Sequence, residues 1–133
     1  MPSLNPGETA SRTTTITDDM IRAFATLTGD SNPVHLDDAY AATTRFGRRI
    51  AHGMIAAGLI SAALANDLPG PGTVYLSQTL QFKAPVYPGD MITTTVEVKS
   101  VRPDKPIATL STICKNQENA VVLEGEAVVL VSR

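Results

Sequence analysis

The stretch "MIAAGLISAAL", Met54 to Leu64, constrains the chain more than any other. At helical spacing its apolar residues do not gather on one face. They surround the axis, and only Ser61 carries a polar side chain. A helix apolar on every side must be covered on every side, which predicts a buried central helix. Ala56, Ala57, Gly58, Ala62 and Ala63 are small enough to let other backbone come close. "NDLPGPG" ends the helix. The apolar run is shorter than the ~20 residues a bilayer crossing needs.

The cover has to come from the rest of the 133 residues. After the helix the hydrophobic period changes from helical to alternating. "VYLSQTLQF" places Val74, Leu76, Leu80 and Phe82 on one face, and "ITTTVEVKSV" does the same with Ile92, Thr94, Val96 and Val98. "IATLSTICKN" and "AVVLEGEAVVLV" complete four strands. The breaks "KAPVYPGD", "RPDKP" and "NQEN" are short, which favours hairpins or meanders over parallel crossovers. The expected architecture is α+β, with four or five antiparallel strands curved around the central helix. The outer strand "VYLSQTLQF" has an edge on which a second copy can pair, so a homodimer is expected.

Before the helix, "SRTTTIT" has the β-branched content of a short strand. "TDDMIRAFATLTGD" reads as a helix capped by Thr17 or Asp18, with Ile21, Phe24 and Leu27 near one face and Gly29 as its stop. "DDAYAATTRFG" suits a short helix ended by Gly47. Repeats, linkers and low-complexity tracts are absent, so residues 1–133 are expected to form one domain. The net charge of −2 does not favour nucleic acid or an anionic membrane as partner. A lone cysteine, Cys114, permits no internal disulfide and fits a reducing compartment. "MPSLNPGETASR" lacks the apolar region of a signal peptide, and a cytoplasmic location is expected.

Chemistry concentrates in "GDSNPVHLD", Gly29 to Asp37. Asp30 precedes His35 across a turn fixed by Asn32-Pro33, because proline keeps the residue before it extended. A carboxylate beside an imidazole can orient water and share its protons. Asp30 can equally close a turn on its own backbone, and spacing alone leaves both readings open. "AHGM" is the second candidate. Gly53 opens the central helix, where free amides carry partial positive charge and the absent side chain lets a ligand approach. His52 beside it can cap or pack. Ser61 either bonds back to a carbonyl one turn earlier or supports the loop of Asp30 and His35. Asp30, His35 and Ser61 have the types of a hydrolytic triad, but Ser61 lies mid-helix and not in a nucleophile elbow. Asp30, His35 and His52 have the types of a two-His, one-carboxylate iron site, but no fixed spacing supports it. Cys114 sits in an alternating strand as a packing residue.

Taken as a set, "GDSNPVHLDDAYAATTRFGRRIAHGMIAAGLIS" resembles the hydratase-2 motif of MaoC-like enoyl-CoA hydratases. The similarity continues through "YLSQTLQFKAPVYPGD" and "DKPIATL", and is strongest to the short R-specific hydratases that supply bacterial polyhydroxyalkanoate synthesis. The resemblance implies a homodimeric hot-dog fold, a sheet wrapped around a long helix. It implies reversible syn addition of water to a trans-2-enoyl-CoA, giving an (R)-3-hydroxyacyl-CoA, with no metal or other cofactor. By the same resemblance Asp30 and His35 activate water, the Gly53 amide holds the thioester oxygen, Ser61 lies by the pair, and Asn32 shapes the loop or helps hold water.

Arg45, Arg48, Arg49, Lys83 and Lys105 are candidates for the CoA phosphates, and Met54, Leu59 and Val128 for the acyl slot. Two alternatives stand beside this reading. A hot-dog thioesterase would generally use a helix carboxylate, which Met54–Leu64 lacks. A silent acyl-CoA binding module would not need the Asp30, His35 and Gly53 set.

Overall fold

The computed structural model describes residues 4–132; Met1–Ser3 of the N-terminal stretch and Arg133 lie outside them. The elements are β1 (Thr9–Thr15), α1 (Asp18–Thr28), α2 (Pro33–Leu36), α3 (Asp38–Ala42), α4 (Gly53–Asn66), β2 (Val74–Gln78), β3 (Gln81–Phe82), β4 (Met91–Val101), β5 (Ile107–Lys115) and β6 (Val121–Leu130). The strands form one antiparallel sheet in the order β1-β4-β5-β6-β2, with β3 also paired to β6.

The alternation read from the sequence becomes the inner face of this sheet. Ile92, Thr94, Val96 and Val98 of β4 are all buried, as are Ala108, Leu110, Thr112 and Cys114 of β5. They meet Ile55, Ile60 and Leu64 of α4 in the core. Each large aliphatic side chain so buried contributes roughly 1.5–3 kcal/mol. Cys114 packs here as expected. Its thiol lies 3.4 Å from the Thr94 hydroxyl and donates to the Ala56 carbonyl, and burial pushes its pKa up.

Local signals before α4 hold for α1 but not for α3, which ends at Ala42 and not at Gly47 as the sequence suggests. The Thr17 side chain accepts from the Met20 amide to cap α1, and Gly29 stops it in the left-handed region at φ 81°. Leu27 is a correction, being 82% exposed while Ala25 is buried with Ile21. At one residue per 100° of turn, Ala25 completes the Ile21 stripe, and Leu27 falls on the other side.

Three expectations about the covering sheet are corrected. The central helix is not wholly buried within one chain. Ile55, Ala56, Ile60, Ala63 and Leu64 are covered, but Met54 is 52% exposed and Gly58 is open. A single sheet covers one side of a helix, and the side away from it needs other cover. The second concerns "VYLSQTLQF", which is not one alternating strand. It breaks into β2 and β3, with a register shift between Tyr75 and Ser77. Lastly, "KAPVYPGD" is not a hairpin, since it joins β3 on one side of the sheet to β4 on the other. "RPDKP" and "NQEN" do link hairpin neighbours, the latter through Asn119 at φ 63°.

The β2–β3 break has a definite cause. Between the two strands Thr79 crosses over Gly125 of β6. Its amide donates to the Glu126 carbonyl at 2.9 Å, and its hydroxyl accepts from the Glu126 amide at 2.9 Å. A Cβ on Gly125 would overlap the Thr79 carbonyl, so only glycine fits beneath the crossing. The crossing turns Gln78 inward, where its side-chain amide donates to the Thr79 carbonyl and the Thr112 hydroxyl. Gly125→Ala is expected to destabilise the protein by about 3 kcal/mol, the upper end for overpacking. Urea unfolding measures it, and an unchanged midpoint would show that Thr79 does not cross there.

Candidate active site

The loop between α1 and α2 is built from short polar side chains closing on nearby backbone. One Asp30 oxygen accepts from the Asn32 amide at 3.3 Å, and the Asn32 oxygen caps α2 by accepting from Val34 at 3.1 Å. Pro33 opens α2, where its missing N–H costs nothing. So the turn reading of Asp30 holds for one of its oxygens. Asn32 shapes the loop, the first of its two expected roles.

His35 lies in α2 and is half-buried. Its Nδ1 is 2.8 Å from the Ile50 carbonyl. A carbonyl can only accept, so Nδ1 carries the proton and neutral His35 presents its Nε2 lone pair. Arg49 holds this segment from behind. Its guanidinium donates to Asp18 at 2.6 Å, to Asp38 at 2.7 Å and to the His35 carbonyl at 3.2 Å. Its bond to Asp18, and then that of Arg22, hold the Asp18 carboxyl below its ordinary 3.8. Two helices and the His35 backbone thus share one cation.

His52 enters the site in a way the sequence reading missed. It occupies the N-cap position of α4 but makes no side-chain capping bond. Its ring is 3% exposed and stacks on His35 with centroids 3.9 Å apart, with Phe24 at 4.7 Å. Its Nε2 lies 3.0 Å from the Asp30 carbonyl. A carboxylate oxygen of Asp30 and one ring nitrogen from each histidine lie within 4.8 Å of one another. A water making two hydrogen bonds of about 2.8 Å spans such a gap. The three types weighed for an iron site are therefore brought together. However, one nitrogen of each imidazole is already committed to a carbonyl, and the His52 Nδ1 is buried. The adjacency of His52 to the glycine at a helix start was the available signal.

Two cavities flank this cluster. One, of about 700 Å³, is lined by Asp30 and Ser61 with Phe24, Met54, Gly58, Tyr75 and Leu80 among its walls. Burial pushes the Tyr75 phenol up to about 12, and its hydroxyl donates to Gln78 at 2.9 Å. The other, of about 380 Å³, is lined by His35, Gly53, Phe82, Arg45 and Lys83. Ser61 reaches the first cavity, and its hydroxyl does not take the back-bond to the preceding turn. Gly53 begins α4, so its amide has no helical carbonyl to bond. A Cβ at Gly53 would come within 2.8 Å of the Phe82 ring, so the glycine first makes room for Phe82.

The structure sorts the remaining candidates. Met54 lines the larger cavity, but Leu59 and Val128 do not. Arg45 and Lys83 line the smaller one, whereas Arg49 is occupied by two carboxylates and Arg48 lies over the Tyr87 ring at 3.9 Å. Lys105 lines neither.

Residues 4–120 match the family described as MaoC like domain. The chain belongs to the MaoC-like family. It is 54% identical over 109 residues to an (R)-specific enoyl-CoA hydratase of Aeromonas caviae, covering 82% of this chain and 81% of that protein. A protein of the same name from Rhodospirillum rubrum is 48% identical over 128 residues, covering 96% and 88%. The solved structure of an (R)-hydratase from A. caviae involved in PHA biosynthesis superposes with a TM-score of 0.96 at 48% identity, over 99% of this chain and all of that one.

This MaoC-like chain has the hot-dog fold, with α4 packed along the antiparallel sheet. Within it, Gly53 and Phe82 are coupled by contact. Gly53→Ala is expected to destabilise the protein by ~1–3 kcal/mol through overpacking. In a Phe82→Ala background the same change should cost little, because the ring it meets is gone. A double-mutant cycle by urea unfolding checks the coupling, and additive losses would remove Phe82 as the cause.

Proposed function

We propose that this chain is an (R)-specific enoyl-CoA hydratase, catalysing reversible syn addition of water to trans-2-enoyl-CoA. The observation that carries the reading is the gap of one water between Asp30 and His35, at the N-terminus of α4 and at the head of an apolar cavity. The 48–54% identity to proteins named for this activity supports it. Conjugate addition puts negative charge on the thioester oxygen, and the free Gly53 amide is suited to that charge. Asp30 and His35 hold the water. One of them takes a proton as the oxygen bonds to C3, and that proton passes to C2 on the same face. The neutral His35 offers Nε2 for this step, because Nδ1–H is spent on Ile50.

The acyl chain then occupies the larger cavity, with Ser61 beside the reacting carbons. The CoA arm passes the smaller cavity, where Arg45 and Lys83 supply positive charge. The product is an (R)-3-hydroxyacyl-CoA of the kind used as a polyhydroxyalkanoate monomer, made in the cytoplasm by residues 1–133 acting as one hot-dog domain. Among the described residues no helix is long and apolar enough to cross a membrane. A thioesterase reading finds no carboxylate on α4, whose first turn is free of acids.

General acid–base groups contribute ~10²–10⁴-fold. Asp30→Asn and His35→Ala should therefore each lose at least ~10²-fold in kcat on crotonyl-CoA while remaining folded. Chiral analysis of the product should show the R alcohol. Near-normal hydration by either folded variant would sink the assignment, and release of free thiol from acyl-CoA would favour the thioesterase.

The working unit is proposed to be a homodimer. β2 ends the sheet, and Val74 and Leu76 on it are 54% and 51% exposed. An exposed apolar edge strand is a template for pairing with another chain. Light scattering should give twice the chain mass, and Leu76→Arg should give monomers. A wild-type chain that runs as a monomer at micromolar concentration overturns the dimer.

A further inference from the structure

Among the described residues, the Nδ1 of His52 is the one buried side-chain polar atom without a hydrogen-bond partner. Its other nitrogen is the link from the start of α4 to the loop that carries Asp30. We propose that His52 is a positioning residue: an imidazole in the Nε2–H tautomer that anchors the Asp30 carbonyl and holds its ring face against His35.

The tautomer follows from the partners. The Asp30 carbonyl only accepts, so Nε2 carries hydrogen. This tautomer leaves Nδ1, the buried atom without a partner, as a bare acceptor, so no buried N–H goes unsatisfied. Phe24 packs against the His52 ring at 4.7 Å and limits its tilt. His35 is fixed in the opposite tautomer by Ile50. The two stacked rings are thus set as a fixed donor and a free acceptor, and the register between Asp30, His35 and Gly53 passes through His52. A shift of about 1 Å at a reacting group can cost ~10²-fold in rate, which is the scale on which such an anchor matters.

The kinetic part rests on the hydratase reading given above; the tautomer part does not. The chain has two histidines, so a long-range proton–nitrogen spectrum of the labelled protein contains two ring systems, assigned with His52→Phe. Expected are an Nε2–H tautomer for His52 and an Nδ1–H tautomer for neutral His35. His52→Phe keeps a ring in the stack and removes the donor. It should lose ~10–100-fold in kcat with KM nearly unchanged. His52→Gln, whose amide can donate to the same carbonyl, should recover part of the loss. An Nδ1–H tautomer of His52 in the wild-type protein overturns the proposal, even if His52→Phe does not fold. Wild-type kcat in folded His52→Phe overturns it too. If Asp30→Asn is inactive in that case, the hydratase reading survives; if Asp30→Asn and His35→Ala are active, both fall.

Discussion

The structure turns on how α4 is seated against the sheet. Its aliphatic residues, Ile55, Ile60 and Leu64, are held by the inner faces of β4, β5 and β6. That packing fixes the axis and depth of the helix, and with them the place of its first residue. Gly53 is thereby set between two cavities, with its amide unspent on the helix itself. The loop of Asp30 and His35 is then hung on this end: His52 ties it to Asp30, and the Ile50 carbonyl ties it to His35. The site takes its position from the core, although of its polar side chains only His52 is buried.

The polar part follows a different logic. Asp30, Asn32 and Asp37 each close on backbone two or three residues away, so the loop carries much of its own structure. Arg49 adds the long-range term by joining α1, α3 and the His35 carbonyl. A half-exposed Asp18 makes this clamp sensitive to solvent screening. It is better understood as fixing geometry than as a large source of stability. The stacked histidines sit between the two systems: His52 is buried like a core residue, His35 is half-buried, and both are bonded like loop residues.

Much of this was legible in the sequence. The all-apolar run of α4 and the alternation of β4 and β5 gave the architecture, because periodicity records which faces meet water. The Thr17 cap and the Gly29 stop gave α1, because both act through backbone a few residues away. "GDSNPVHLD" gave Asp30 and His35 as candidates. The failures share a cause. Leu27, the β2–β3 break and the Phe82 contact with Gly53 depend on what lies opposite, which a local pattern does not carry. The crossing of Thr79 over Gly125 joins residues far apart in the chain, and no alternation rule anticipates it.

The amino-acid sequence by itself determined α1 and α4, the inner faces of β4 and β5, Asp30 and His35 as candidates, and the family resemblance. These are local or repeated signals, written in residue types at short spacing. Only the tertiary structure decided that His52 belongs to the site, that Gly53 faces Phe82, that Arg49 is committed to Asp18 and Asp38, and that one face of α4 stays open within a single chain. Each of these is a question of which distant groups share a few ångströms, and hydrogen bonds and packing settle that only after the chain has closed.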